Sequence, residues 1–449
     1  MNVYRKPTKI PDSSRAPAFS DEALALQFSH MHGDDLRYVS ALGRWFCWNG
    51  TKWERDETLR TMHLARELCR TVARESPKPL ARRIASANTI AAVERLARAD
   101  RRHASHIDQW DSNPWKLNTP AGTVDLKTGQ LLPHNRLDYC TKVTAIAPAS
   151  RTPTLWLQFL NQVTGGDVEL QKFLQRMVGY CLTGVTNEHA LFFLYGTGAN
   201  GKSVFISTIA GILHEYAKTA SIETFTASTN DQHPTDRASL QGARLVTASE
   251  TEEGRRWAES KVKLLTGGDK IAARFMRQDF FEFTPQFKLV VAGNHKPGLR
   301  SVDEAIRRRL FLVPFNVTIP EGERDKDLPN KLRQEWAAIL GWAIEGCRMW
   351  QIEGLNAPAA VRNATGDYLS EEDALGRWQQ EQCVLGPEYM SAASVLFEDW
   401  RRWCEANGEF AGSQKRFSQM LEARTNVTKE RTRSWRGFKG IALKSEVQS

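Results

Sequence analysis

Apolar positions along the chain change their spacing from one region to the next, and the changes mark its parts. After a lead-in over residues 1–20 punctuated by Pro and Ser, the stripe from Asp21 to Phe28 has the period of a short helix. Leu36–Val39 and Arg44–Trp48 read as strands, and Asn49-Gly50 marks a hairpin turn into Thr51-Lys52-Trp53. Two amphipathic helices follow, Thr58–Glu75 and, after Pro77-Lys78-Pro79, Ala81–His103; both carry much arginine on the polar face. Strand texture returns over Trp110–Leu132, and Thr144–Pro153 reads as a linker.

The pattern then shifts. Helices are predicted over Leu155–Val163 and Val168–Leu182, followed by short continuous apolar runs at Leu191–Tyr195, Arg244–Glu250, Lys288–Gly293 and Leu310–Phe315. Helical stretches separate these runs, so the region is read as α/β with a mostly parallel sheet. Lys270–Phe283 has the length of a hairpin, with Arg277-Gln278-Asp279 near its tip. Asp327–Trp350 is expected as one long helix and Pro358–Glu381 as a second, more polar arm. Helices near Ser391–Ala406 and Gln414–Arg424, then a glycine-spaced strand pair over Trp435–Leu443, suggest a winged helix. The chain divides accordingly into an α+β adaptor or oligomerisation domain (1–150), an ATPase domain (151–355), a helical linker (356–384) and a winged-helix-like domain (385–449).

Composition adds bounds. A chain of 449 residues with 41% hydrophobic and 25% charged residues is globular and long enough for two or three cores. No apolar stretch reaches membrane-span length and no signal peptide is visible, so no membrane partner is expected. Seven cysteines without a C-x-x-C pair fit a reducing cytoplasm, with neither structural zinc nor disulfides. The net charge of +9 suggests a polyanionic partner. Eleven Lys/Arg against five Glu lie between Arg401 and Ser449.

The chemistry starts at Gly196-Thr197-Gly198-Ala199-Asn200-Gly201-Lys202-Ser203, running on through Val204. Strand, then G-x-x-x-x-G-K-[ST], then helix is the context of a phosphate-binding loop. Its backbone N–H groups would cradle the phosphates of ATP, Lys202 would reach the β- and γ-phosphates, and the Ser203 hydroxyl would ligate Mg²⁺. Hydrolysis also needs a carboxylate for metal and water, a polar γ-phosphate sensor and a cation. Glu250, with Glu252 on the same face two residues on, supplies the first; Asn294 the second; Arg307, Arg308 and Arg309 the third.

This order resembles a superfamily 3 helicase, and more narrowly the phage and plasmid primase family with its poxvirus-type primase-helicase relatives. The matching stretches are Gly196–Ser203, Arg244–Glu250, Lys263–Asp269 with Ala273-Arg274, Val291–Pro297, and Asp303–Arg309 running into Val313-Pro314-Phe315. The resemblance implies an AAA+-like core that assembles into a ring, usually a hexamer. ATP would lie between subunits, with an arginine acting from the neighbour; Arg308 and Arg309 align with the family's arginine pair, and at least one of the three arginines would supply that cation. Single-stranded DNA would thread the channel, with forked DNA and replication proteins as further partners. The Lys270–Phe283 hairpin would project there, Lys270, Arg274 and Arg277 gripping phosphates and Phe275 or Phe280 stacking on a base. Lys415 and Arg416 of the tail would contact duplex DNA.

Two departures accompany the resemblance. Glu250 is flanked by Ser249 and Thr251 rather than by a second acid, which leaves the division of labour between Glu250 and Glu252 open. No set of metal-binding carboxylates for a primase polymerase precedes the ATPase region. The implied activity is ATP-dependent DNA unwinding in the replication of a phage, prophage or plasmid. The alternative is a non-unwinding AAA+ ATPase that initiates replication or remodels a partner.

Overall fold

The computed structural model describes residues 16–227, 234–249, 254–274, 280–299, 302–424, 427–431 and 436–447. Helix α1 (Asp21–His32) starts on Ser20, whose Oγ accepts from the Ala23 N–H at 3.2 Å. Strands β1 (Leu36–Val39), β2 (Arg44–Trp48) and β3 (Trp53–Arg55) follow, then helices α2 (Arg60–Arg74), α3 (Lys78–Ile84) and α4 (Ala87–Ala97), and strand β4 (Ala104–Ser105). The sheet order is β3-β2-β1-β4. The predicted turn is present: Asn49 Oδ1 accepts from the N–H groups of Thr51 and Lys52, both at 2.8 Å, and Gly50 takes φ +96°. The single helix expected over Ala81–His103 is two. Ser86 Oγ caps α4 at 3.2 Å from the Thr89 N–H, and a serine placed to cap begins a new helix.

Strands β5 (Lys116–Thr119), β6 (Gly122–Asp125) and β7 (Gln130–Leu132) form an antiparallel sheet. Their Leu117 and Val124, with Leu126, enter the core of the following helices α5 (Thr154–Val163) and α6 (Val168–Leu182), not the core of Leu24, Phe28 and Trp45. Buried contacts therefore cross position 150.

The central region contains β8 (Leu191–Tyr195), α7 (Lys202–Leu213), β9 (Ala217–Thr219), α8 (Pro234–Ala238), β10 (Leu245–Ser249), α9 (Glu259–Thr266), the antiparallel pair β11 (Ile271–Ala273) and β12 (Phe281–Phe283), β13 (Lys288–Gly293), α10 (Glu304–Arg307) and β14 (Leu310–Pro314). Five strands pair in parallel in the order β14-β8-β13-β10-β9. Such a sheet is covered on both faces, which is why its strands read as continuous apolar runs; every residue of β13 is buried. The mixed α/β architecture with a parallel sheet is as the pattern predicted.

The helix expected over Asp327–Trp350 is interrupted, giving α11 (Leu328–Arg333) and α12 (Trp336–Glu353). At the break the Glu335 carboxylate turns away to accept from the Leu155 and Trp156 N–H groups at 3.2 and 3.0 Å, capping α5. Helices α6 and α12 cross glycine to glycine: a Cβ on Gly179 would overlap the backbone at Gly346 and Cys347, and one on Gly346 would overlap Gln175 O. Arg176, buried on α6, donates to Leu355 O and Asn356 O, each at 3.1 Å, and so closes the end of α12.

The arm expected over Pro358–Glu381 is also two helices, α13 (Ala359–Glu371) and α14 (Ala374–Gln382), because Asp373 Oδ1 caps α14 at 3.1 Å from the Gly376 N–H. Neither half is a free arm. Val361, Tyr368 and Leu369 of α13 are buried, and Thr365 Oγ1 accepts from the Leu312 N–H of β14 at 3.0 Å. Strand β15 (Cys383–Ala392), helices α15 (Ala393–Ala406) and α16 (Gln414–Glu422), strands β16 (Thr428–Arg431) and β17 (Arg436–Leu443) and the short α17 (Lys444–Val447) complete the chain. The glycine-spaced run is one strand, β17, between β15 and β16, rather than a strand pair. Leu375 and Trp378 of α14 share the core of Trp400, Phe417 and Phe438, so this last unit takes in residues before 385. All seven cysteines are buried and unpaired, and among the described residues no helix is long and apolar enough to cross a membrane.

Candidate functional site

The loop between β8 and α7 is held from three sides. Gly196 and Gly201 take φ +151° and +83°; a Cβ on Gly201 would overlap Val163 and Phe159 of α5, and one on Gly196 would overlap Phe315 O. Ala199 adopts φ +58° without being glycine. Gly198 differs, since nothing lies within 4 Å of the position its Cβ would take. The fold does not require glycine there; the space faces outward.

Asn200 is a brace. It is 3% exposed, and its Nδ2 donates to Thr197 O and, at 2.9 Å, to Phe315 O beyond β14. The Ile319 N–H donates to Ala199 O at 2.8 Å, and Thr197 Oγ1 lies 3.3 Å from Thr318 Oγ1. Asn200→Ala is expected to leave a buried carbonyl unpaired and to cost about 1–3 kcal/mol, read in a denaturant titration. An unchanged midpoint would show that the loop does not depend on this bridge.

Lys202 is 7% exposed, and its Nζ donates to Gly196 O at 2.6 Å, Asn200 Oδ1 at 3.1 Å and Asn294 Oδ1 at 3.2 Å. Burial lowers its pKa from the ordinary lysine value. Ser203 is exposed in the first turn of α7, and Val204 beside it is half-buried.

The parallel register explains why Asn294 arrives here. Gly293 of β13 pairs with Tyr195 of β8, so the residues following each strand emerge side by side. On the other flank Ser249 of β10 pairs with Ala292. Glu250 and Glu252 follow that strand end and lie outside the described residues. Sequence reasoning passed over Lys296, whose Nζ sits 4.8 Å from the Tyr195 ring and 5.8 Å from the Tyr368 ring. A lysine two residues past the asparagine, opposite a tyrosine-ended strand, was the available signal.

The arginines lie elsewhere. Arg309 immediately precedes β14, and the Leu191 N–H at the start of β8 donates to its carbonyl at 2.7 Å. This is the end of the sheet away from the loop, about 15 Å along the strands. Arg309 is turned inward, its Nε donating to Thr266 Oγ1 at 3.1 Å and its Nη1 to Ala305 O at 2.8 Å. Arg309 is thus engaged inside its own chain, and Arg308 is the member of the pair that faces outward. Arg307 lies 3.5 Å from Asp373. Arg308 is exposed, and its side chain has no hydrogen bond or ion pair among the described residues.

Of the predicted nucleic-acid contacts, Lys270 is exposed just before β11. The Arg274 guanidinium lies 4.8 Å from the centroid of the Phe280 ring, which is thereby partly occupied by its own chain. Phe275 and Arg277, with the hairpin tip, lie outside the described residues. Lys415 is exposed on the first turn of α16, and Ser413 Oγ caps that helix at 3.3 Å from the Arg416 N–H. Other cations of the tail are engaged, Arg424 with Asp373 and Lys429 with Glu422 at 3.6 Å.

The donor set at the loop suits a polyphosphate: a buried ammonium, a helix N-terminus and open space over Gly198. Ser203 offers one oxygen to a hard cation. Among the described residues no group of three or more His, Cys, Asp or Glu is placed to hold a metal by itself.

Residues 25–165 match the family described as D5 N terminal like, and residues 194–309 match a family of unknown function (DUF5906). A provisionally named helicase of Acanthamoeba polyphaga mimivirus is 24% identical over 323 residues, 66% of this chain and 34% of that one. A provisionally named helicase of Frog virus 3 is 24% identical over 306 residues, covering 63% and 31%. The chain thus spans about a third of the length of the curated relatives it matches. The apo structure of the NrS-1 C terminal region superposes with a TM-score of 0.54 at 9% identity, covering 94% of this chain and 99% of that one.

Proposed function

We propose, from the place of this chain among the D5-like primase-helicases, that it is an ATP-dependent DNA helicase of superfamily 3 built on an AAA+-like P-loop core. One observation carries the reading. Lys202 is anchored by Gly196 O and Asn200 Oδ1 of the loop and Asn294 Oδ1 at the end of the adjacent strand, in a loop whose Gly198 position is open. The helicase names of the viral relatives support the same direction.

Lys202 would exchange its contact with Asn294 for phosphate oxygen, leaving the Asn294 amide to position the attacking water. Both groups are held by the fold before nucleotide arrives, so little reorganisation is needed at reaction. Mg²⁺, held by Ser203 and Glu250, would supply charge neutralisation between phosphate oxygens. Glu250 or Glu252 would orient or deprotonate the water. Arg308 would act on the loop of another copy, because its own loop is a strand length away. The last unit, helices α15 and α16 with the β15-β17-β16 sheet, is read as the winged-helix-like DNA-binding part.

The test is unwinding of a forked duplex by the full chain, with turnover stimulated by single-stranded DNA. Hydrolysis without strand separation would favour the non-unwinding ATPase instead. Action between copies has its own signature: Arg308→Ala and Lys202→Ala, each inactive alone, should regain part of the turnover when mixed. A mixture no more active than its components would rule out action of Arg308 on the loop of another copy.

A further inference from the structure

Residues Arg60 to Arg102 hold eleven Lys/Arg against four Asp/Glu, a denser excess than the tail carries. Helix α2 buries Thr61, Ala65, Leu68 and Cys69. At 100° per residue these residues share one face, and Arg66, Arg70 and Arg74 fall opposite them in a line of i, i+4 steps. All three are exposed, and among the described residues none of their side chains makes a hydrogen bond or ion pair. Lys78 and Arg82, exposed on α3, continue the excess past the Pro77 turn. The nearby acid on α2, Glu67, is 3.3 Å from His63.

Three like charges at consecutive turns repel one another, and the fold gains no salt bridge in return. Elsewhere in this domain arginines are used structurally: Arg98 forks onto Glu94 at 2.8 and 2.7 Å, and Arg136 lies 3.0 Å from Asp35. The ridge is built differently. We propose that Arg66, Arg70 and Arg74 form a nucleic-acid backbone contact on the N-terminal domain, separate from the hairpin and the tail.

The dimensions suit a phosphodiester chain. The three guanidiniums span about 12 Å of helix, a length along which one strand of duplex DNA carries about three or four phosphates. No aromatic side chain interleaves the ridge, so it would grip phosphate without reading bases. Arginine suits this use, since its planar fork matches phosphate oxygens and its charge is permanent. The contact requires no nucleotide and stands independently of the ATPase reading.

The experiment is a salt titration of binding by the full chain, without nucleotide, to a fluorescein-labelled single-stranded oligonucleotide and to its duplex. Arg66→Gln/Arg70→Gln/Arg74→Gln should reduce the slope of log K against log salt by about two on the single strand and nearer three on the duplex. The form whose affinity at fixed salt falls by the larger factor is the preferred one. Arg→Lys at the same three positions should restore most of the slope, because it keeps the charge. Since the side chains are exposed and their mutual repulsion is removed, thermal stability should not fall. An unchanged slope on both ligands overturns the proposal. Failure of Lys202→Ala to affect turnover would instead count against the ATPase and leave this result standing.

Discussion

Lys202→Ala is expected to reduce ATP turnover by a factor of about 10²–10³ and to abolish strand separation. The ammonium is held at the loop itself by three oxygens, and alanine leaves no cation in its place. Its three present partners are the Gly196 carbonyl and the Asn200 and Asn294 side-chain oxygens, at a partly open site where water can replace it. The variant should therefore fold, which circular dichroism checks, while turnover falls. Retention of wild-type turnover in a folded variant would remove the phosphate role from this loop.

Gly179→Ala should have the largest effect on the fold. The added methyl would be driven into the backbone of α12, which has no side chain to move aside. Overpacking of this kind costs about 1–3 kcal/mol, and more where backbone must shift. Gly346→Ala meets the α6 backbone at the same crossing, so the double variant should cost less than the two singles combined. Urea unfolding followed by tryptophan fluorescence reads both effects, Trp342 and Trp350 lying on α12 itself. Additive losses would mean that the two glycines relieve separate contacts.

The central sheet was legible because parallel strands buried on both faces leave continuous apolar runs, and those runs ended where Gly196 and Asn294 begin. The loop was legible for the same reason, with glycines and lysine at fixed spacing. Helix breaks were missed at Ser86, Glu335 and Asp373. Each is one polar residue inside a helical period: Ser86 and Asp373 cap the helix that follows, while Glu335 bonds across to the start of α5. Periodicity weighs such residues as surface. Arg309 shows the converse: three consecutive arginines look equivalent in sequence, and only the acceptors at Thr266 and Ala305 distinguish the buried one. The unpaired ridge on α2 was visible as arginine content, but not as a line without partners.

The separation of Arg308 from Lys202 along the strands has a kinetic consequence. If the two belong to one reaction, the chain has a front that binds and a back that completes, and neither is useful to its own molecule. Activity per chain should then fall steeply on dilution and recover on concentration, with an order in protein above one. Adding nucleotide should shift that curve toward lower concentration, because a ligand held between front and back also holds two molecules together.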